Sequence, residues 1–84
     1  MTLKPIALVY SKPECPYCVK AVALLNAMDM RQVKYTVDVD FTREQLMQAI
    51  PADRRPEKLT FPQIFINGEY IGGYEALVRH VEGK

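Results

Sequence analysis

Cys15 and Cys18 stand two residues apart in Ser11-Lys12-Pro13-Glu14-Cys15-Pro16-Tyr17-Cys18, and the chain has no other cysteine. A thiol pair at this spacing can do two kinds of chemistry. It can close a small disulfide and exchange it with others, by attack of a thiolate on sulfur. It can also supply half of a zinc site. The apolar run Ile6-Ala7-Leu8-Val9-Tyr10 precedes the pair, and Val19-Lys20-Ala21-Val22-Ala23-Leu24-Leu25, which reads as a helix, follows it. The cysteines therefore fall at a strand-to-helix turn. Cys15 takes the N-cap position and Pro16 the first helical one, where a missing N–H costs no intrahelical bond. A sulfur so placed faces unpaired backbone N–H groups and the positive end of the helix dipole, and both favour thiolate over thiol. Cys15 is read as the nucleophile. Cys18, one turn further in and turned from solvent, is read as the resolving thiol. Zinc needs four ligands, and beyond the two thiols the chain offers His80, far away near the C-terminus. The redox reading is therefore preferred.

The elements that must position this turn follow from periodicity. Ile6 to Tyr10 is a short continuous apolar run, the pattern of a strand covered on both faces. A helix should run from Pro16 to about Asp29, with Val19, Val22, Ala23 and Leu25 as packing candidates. Val33-Lys34-Tyr35-Thr36-Val37-Asp38-Val39 alternates apolar and polar residues and reads as a second strand. Strand, helix and strand in this order form a βαβ unit with parallel strands. A second helix starts at Thr42, a good N-cap. Gln45 completes a capping box, and Phe41 and Leu46 occupy the two hydrophobic-staple positions. It ends near Ile50. Pro51 to Lys58 is a polar loop whose Arg54, Arg55 and Lys58 are read equally as solvated or as positive charge for a site. Thr60-Phe61-Pro62-Gln63-Ile64-Phe65-Ile66 reads as a third strand, Asn67-Gly68 as a two-residue hairpin turn, and Glu69-Tyr70-Ile71 as a short fourth strand. Gly72-Gly73 leads into a last helix with Leu77, Val78 and Val81 on one face.

The order β-α-β-α-β-β-α around an N-terminal Cys-x-x-Cys resembles the thioredoxin fold, an α/β class in which a four-stranded mixed sheet is flanked by three helices. Three motifs narrow the resemblance: Cys15-Pro16-Tyr17-Cys18, then Thr60-Phe61-Pro62, then Gly72-Gly73-Tyr74. Together they make the chain similar to the small dithiol glutaredoxins, bacterial and phage, over nearly its whole length. The resemblance implies a glutathione-dependent thiol–disulfide oxidoreductase, with glutathione as co-substrate and no bound cofactor. Cys15 and Cys18 would be catalytic. Lys12, Tyr17, Phe61, Pro62, Gly73, Tyr74 and Glu75 would bind glutathione. By the same resemblance the Phe61–Pro62 peptide is cis, against an ordinary trans edge-strand proline, and presents the Phe61 backbone to an extended peptide. The family more often has a smaller β-branched residue at Phe61, and an Asp where Glu75 stands. Gly72-Gly73 offers close backbone approach and a helix start for a carboxylate, or serves merely as a turn. Lys12 would pair with a glutathione carboxylate and favour the thiolate, or is simply a solvated loop lysine.

Composition sets the surroundings. Eighty-four residues make one domain, residues 1–84, with ordinary charge content and a net charge of +1, which predicts no general affinity for nucleic acid or membrane. The N-terminal residues lack the apolar core of a secretory signal, and a cytoplasmic monomer is expected. Expected partners are glutathione and disulfide-containing or glutathionylated proteins, ribonucleotide reductase among the candidates. Two alternatives keep the fold: a redoxin reduced by thioredoxin reductase, and a glutathione-ligated iron–sulfur carrier, which the stiff Pro16 after the first cysteine disfavours.

Overall fold

The computed structural model describes residues 4–83, so the reading of residues 1–5 as lacking a secretory signal lies mostly outside the described residues. Among the described residues, four strands and three α-helices follow in chain order: β1 (Ile6–Ser11), α1 (Pro16–Ala27), β2 (Arg31–Thr36), α2 (Arg43–Ala49), β3 (Gln63–Ile66), β4 (Glu69–Gly72) and α3 (Tyr74–Glu82). They form one mixed sheet in the order β2-β1-β3-β4. β1 runs parallel to β2 and antiparallel to β3, and β3 pairs antiparallel with β4. This is the architecture the element order predicts.

The central position of β1 explains its unbroken apolar run. Ala7 and Val9 point to one face and pack with Ala21, Leu25, Ile64, Ile66, Ile71 and Leu77, which places α1 and α3 on that side. Leu8 and Tyr10 point to the other and meet Val37, Phe41, Leu46, Ile50, Phe65 and Tyr70, which places α2 there. Two small cores thus sandwich the sheet, and strand alternation divides them. Ser11, fully buried at the end of β1, donates its hydroxyl to the Tyr35 carbonyl at 2.8 Å.

The α2 start follows its sequence signature. Thr42 Oγ1 accepts the Gln45 N–H at 3.1 Å, and Gln45 Oε1 accepts the Thr42 N–H at 2.9 Å. Phe41 and Leu46 meet in the same core cluster. The hairpin also forms as read, with Asn67 at φ 50° and Gly68 at φ 83°, the left-handed pair that matches strand twist.

The structure departs from these readings in β2, α1 and β3. β2 begins at Arg31 and ends at Thr36, short of Val39. Asp40 Oδ2 accepts the Thr36 N–H at 2.8 Å, and Asp38 turns left-handed at φ 65°. The Val37 N–H still donates to the Ser11 carbonyl at 2.9 Å, but beyond that Val37 forms only an isolated bridge to Phe41, and Val39 is 79% exposed. An Asp-rich turn has captured the end of the alternating run. In α1 the buried face is Cys18, Ala21 and Leu25, with Val22 half-buried, while Val19 and Ala23 are exposed. A helix with two apolar stripes buries the one aligned with the cysteine turn. β3 starts at Gln63, because Pro62 has no N–H for the ladder.

Candidate functional site

The cysteine turn is built as its position requires. Cys15 is the N-cap of α1 in extended conformation, and Pro16 opens the helix. The Cys18 N–H donates to Cys15 Sγ at 3.1 Å, so a sulfur fills the role usually given to Ser, Thr or Asp. The two cysteines are joined as a disulfide, with Cα atoms 5.2 Å apart. Cys15 retains 7% of its surface against 2% for Cys18, so it is the more exposed residue of the pair. Glu14, just before it, holds a left-handed φ of 55°, which aims the chain from the β1 end into the cap.

Beside this turn runs a groove of about 680 Å³, lined by Tyr17, Thr60, Phe61, Pro62, Gly73, Tyr74, Glu75, Ala76 and Arg79. The structure thus brings together six of the seven residues expected to bind substrate. The sulfurs are not themselves among the lining residues, and Tyr17, inside the cysteine turn, links the groove to them. The Phe61–Pro62 peptide is cis. A Cβ added to Gly73 would come within 3.5 Å of the Pro62 carbonyl oxygen, so these two walls approach closely. The Tyr17 and Tyr74 rings lie 5.7 Å apart and form an aromatic shoulder. Gly73 is the N-cap of α3 and offers no side chain to cap it, which leaves its first-turn N–H groups for a ligand or water. Lys12 is exposed and is not one of the groove residues.

A buried polar chain holds the Thr60 wall from behind. The Tyr70 hydroxyl donates to Gln63 Oε1 at 2.6 Å, and Gln63 Nε2 donates to the Thr60 carbonyl at 2.9 Å and to Thr60 Oγ1 at 3.3 Å. Arg54 donates to the carbonyls of Tyr70 and Ile71 at 2.9 and 3.3 Å, with its guanidinium 4.7 Å from the Tyr70 ring centre. Burial pushes the Tyr70 phenol above its ordinary 10.0, while the neighbouring Arg54 pulls the other way. Arg55 donates to the carbonyls of Ile50 and Gln48. The two arginines therefore tie the Pro51–Lys58 loop to β4 and to the end of α2, and Lys58 stays exposed.

Sequence reasoning missed Thr60, Ala76 and Arg79 as groove residues. The helical spacing of Glu75 and Arg79, one turn apart on α3, was the available signal. Among the described residues, no group of three or more His, Cys, Asp or Glu gathers to hold a metal ion, and no helix is long and apolar enough to cross a membrane.

Comparison with known proteins gives a consistent answer. The glutaredoxin family model matches residues 7–71. Glutaredoxin 1 of Rickettsia bellii is 38% identical over 72 residues, covering 83% of this chain and 70% of that protein. Among relatives of this kind the match spans from 50% to 77% of their length. Among solved structures, reduced Escherichia coli glutaredoxin superposes with a TM-score of 0.77 at 28% identity, covering 94% of this chain and 95% of that one. A buckwheat glutaredoxin–glutathione complex superposes with a TM-score of 0.70 at 29% identity, covering 93% of this chain and 70% of that one.

Proposed function

Because the chain belongs to the glutaredoxin family of thiol–disulfide oxidoreductases, we propose that its reductant is glutathione, that Cys15 is its nucleophile and that Cys18 is its resolving thiol. The observation that carries the reading is the Cys15 sulfur at the α1 N-cap, accepting the Cys18 N–H beside a groove of peptide dimensions. A hydrogen-bond acceptor at this place is better as an anion, because charge-assisted bonds are about twice as strong as neutral ones. Cys15 is therefore poised as thiolate in the reduced protein, and its greater exposure supports its attacking first.

The reaction follows from thiol exchange. The Cys15 thiolate attacks the glutathionyl sulfur of a protein–glutathione mixed disulfide. A Cys15–glutathione disulfide forms, and the protein leaves as thiolate. A second glutathione thiolate then attacks the glutathionyl sulfur, releasing oxidised glutathione and restoring Cys15. With a protein disulfide, Cys15 first forms a mixed disulfide with the protein. The Cys18 thiolate then attacks the Cys15 sulfur, frees the protein dithiol and leaves the Cys15–Cys18 disulfide, which two glutathiones reduce. Ribonucleotide reductase is one acceptor this second route would serve, and a reducing cytoplasm suits both.

Glutathione would lie extended along the groove, its cysteine moiety pairing with the Phe61 backbone beside Pro62. Tyr17 and Tyr74 would cover it, and Gly73 with the open α3 start would take its γ-glutamyl end, where Glu75 meets the ammonium. Lys12, three residues before Cys15, would serve the glycine carboxylate from outside the groove. The buckwheat relative, solved with glutathione, supports this reading.

The test is turnover of a glutathione mixed disulfide with glutathione and glutathione reductase. Activity should vanish in Cys15→Ser and persist at least partly in Cys18→Ser. No activity in the wild type, with activity restored by thioredoxin reductase, would keep the nucleophile and remove glutathione.

A further inference from the structure

Of the groove's lining residues, only Glu75 and Arg79 carry full charges. They stand at i and i+4 on α3, a spacing that puts their side chains on one face with Cβ atoms about 5–6 Å apart. They are nevertheless not paired with each other. The ion pairs among the described residues are Lys4–Asp29 and Arg43–Asp38. The Arg79 guanidinium is thus uncommitted on an exposed turn, and its fork suits a carboxylate.

Ala76 lets the groove extend this far. It sits between Glu75 and Arg79 with only a methyl group, packed so tightly on Gly72 that a Cβ there would come within 2.9 Å of the Ala76 Cβ. Other cations lie elsewhere. Lys12 is not a groove residue, and Lys20 sits over the outer Tyr17 ring at 5.0 Å. The groove's own cation is therefore Arg79. One anion and one cation a helical turn apart, with open N–H groups at the helix start, complement a ligand end bearing both an ammonium and a carboxylate. A simple dianion would meet Glu75 repulsion.

We propose that Arg79 is a specificity-determining residue that binds the α-carboxylate at the γ-glutamyl end of glutathione. This deepens the glutathione reading and rests on it. Discrimination between glutathione and an ordinary protein cysteine then comes in part from a side chain one turn into α3.

The experiment is steady-state turnover of a glutathione mixed disulfide by wild type, Arg79→Ala and Arg79→Lys, at low and high salt. Arg79→Ala should raise KM about five- to tenfold, the weight of one partly solvated charge-assisted contact, with little change in kcat. Arg79→Lys should recover part of the loss. The wild-type KM should rise with salt while that of Arg79→Ala stays flatter. Repeating the series with glutathione esterified at its glycine carboxylate should leave the Arg79→Ala penalty intact. An unchanged KM in Arg79→Ala, with active wild type, overturns the Arg79 assignment alone. A penalty that disappears with the ester overturns it in favour of the other carboxylate. A wild type with no glutathione turnover overturns the glutathione reading and this assignment together.

Discussion

Replacing Tyr70 by Phe should be far more costly than the loss of one surface hydroxyl. The hydroxyl donates to Gln63 Oε1 at 2.6 Å, and Gln63 is only 3% exposed. Its removal takes away one hydrogen bond and leaves a buried amide oxygen without its donor, a cost of about 1–3 kcal/mol. The Phe ring keeps its place against Phe65, whose centroid lies 5.2 Å away, so little packing is lost. A loss near 2 kcal/mol would lower the urea midpoint by roughly 1–2 M for a domain of this size. The assay is urea unfolding of the oxidised protein, with the slope m unchanged. A second variant isolates the interaction. Gln63→Leu removes the acceptor, so Tyr70→Phe in that background should cost at least about 1 kcal/mol less than alone. A Tyr70→Phe variant within about 0.5 kcal/mol of wild type, or strictly additive costs, would refute the reasoning. Because Gln63 also holds the Thr60 carbonyl and hydroxyl, both variants should loosen the groove wall and raise KM more than they change kcat.

Gly72 has φ +122° and no room for a Cβ against Ala76. Gly72→Ala should therefore lower stability by about 2 kcal/mol or more through strain and a β4–α3 clash, read as a fall in Tm. A variant as stable as wild type would show that this corner yields freely. Burial raises the Tyr10 phenol above its ordinary 10.0, with Tyr35 adding to the shift. A neutral phenol favoured by folding gives stability that is complete below pH about 10 and lost as pH rises through the folded-state value. Urea midpoints measured from pH 7 to 11 should fall at the alkaline end, and less steeply in Tyr10→Phe. Equal slopes in both proteins would remove Tyr10 as a cause.

What could be read from the sequence was mostly short-range. Cys15 with Pro16, Thr42 with Gln45, and Asn67 with Gly68 each specify a cap or turn through neighbours within three residues, and all three form. The misreadings arise where a distant or competing contact wins. Val37 and Val39 alternate like a strand, but the left-handed turn at Asp38, whose N–H bonds the Phe41 carbonyl, ends β2. Val19 and Ala23 are as apolar as the residues α1 buries, and only the docking of the helix on β1 and α3 decides between the stripes. Arg54 and Arg55 looked like free charge because their partners are backbone carbonyls, which carry no sequence signal. Arg79 escaped notice for a related reason. A groove belongs to the assembled walls, and the one-turn spacing of Glu75 and Arg79 says nothing by itself of what those walls face.

The cysteine turn joins stability and reactivity in one hydrogen bond. Cys15 Sγ supplies the N-cap of α1 and, in the proposed chemistry, the attacking atom. Ordinary helices assign the cap to Ser, Thr, Asp or Asn, which cap as well or better and attack no disulfide. Placing sulfur there makes the bond strongest when the sulfur is anionic, so the fold rewards the state the reaction needs. It follows that Cys15→Ser separates the two roles. Compared with reduced wild type, it should keep the cap and nearly all of the stability while losing turnover. Cys15→Ala should lose turnover and about 1 kcal/mol as well. If Ser at this position destabilised as much as Ala, the sulfur would not be acting as a cap, and the physical argument for a poised Cys15 thiolate would fall with it.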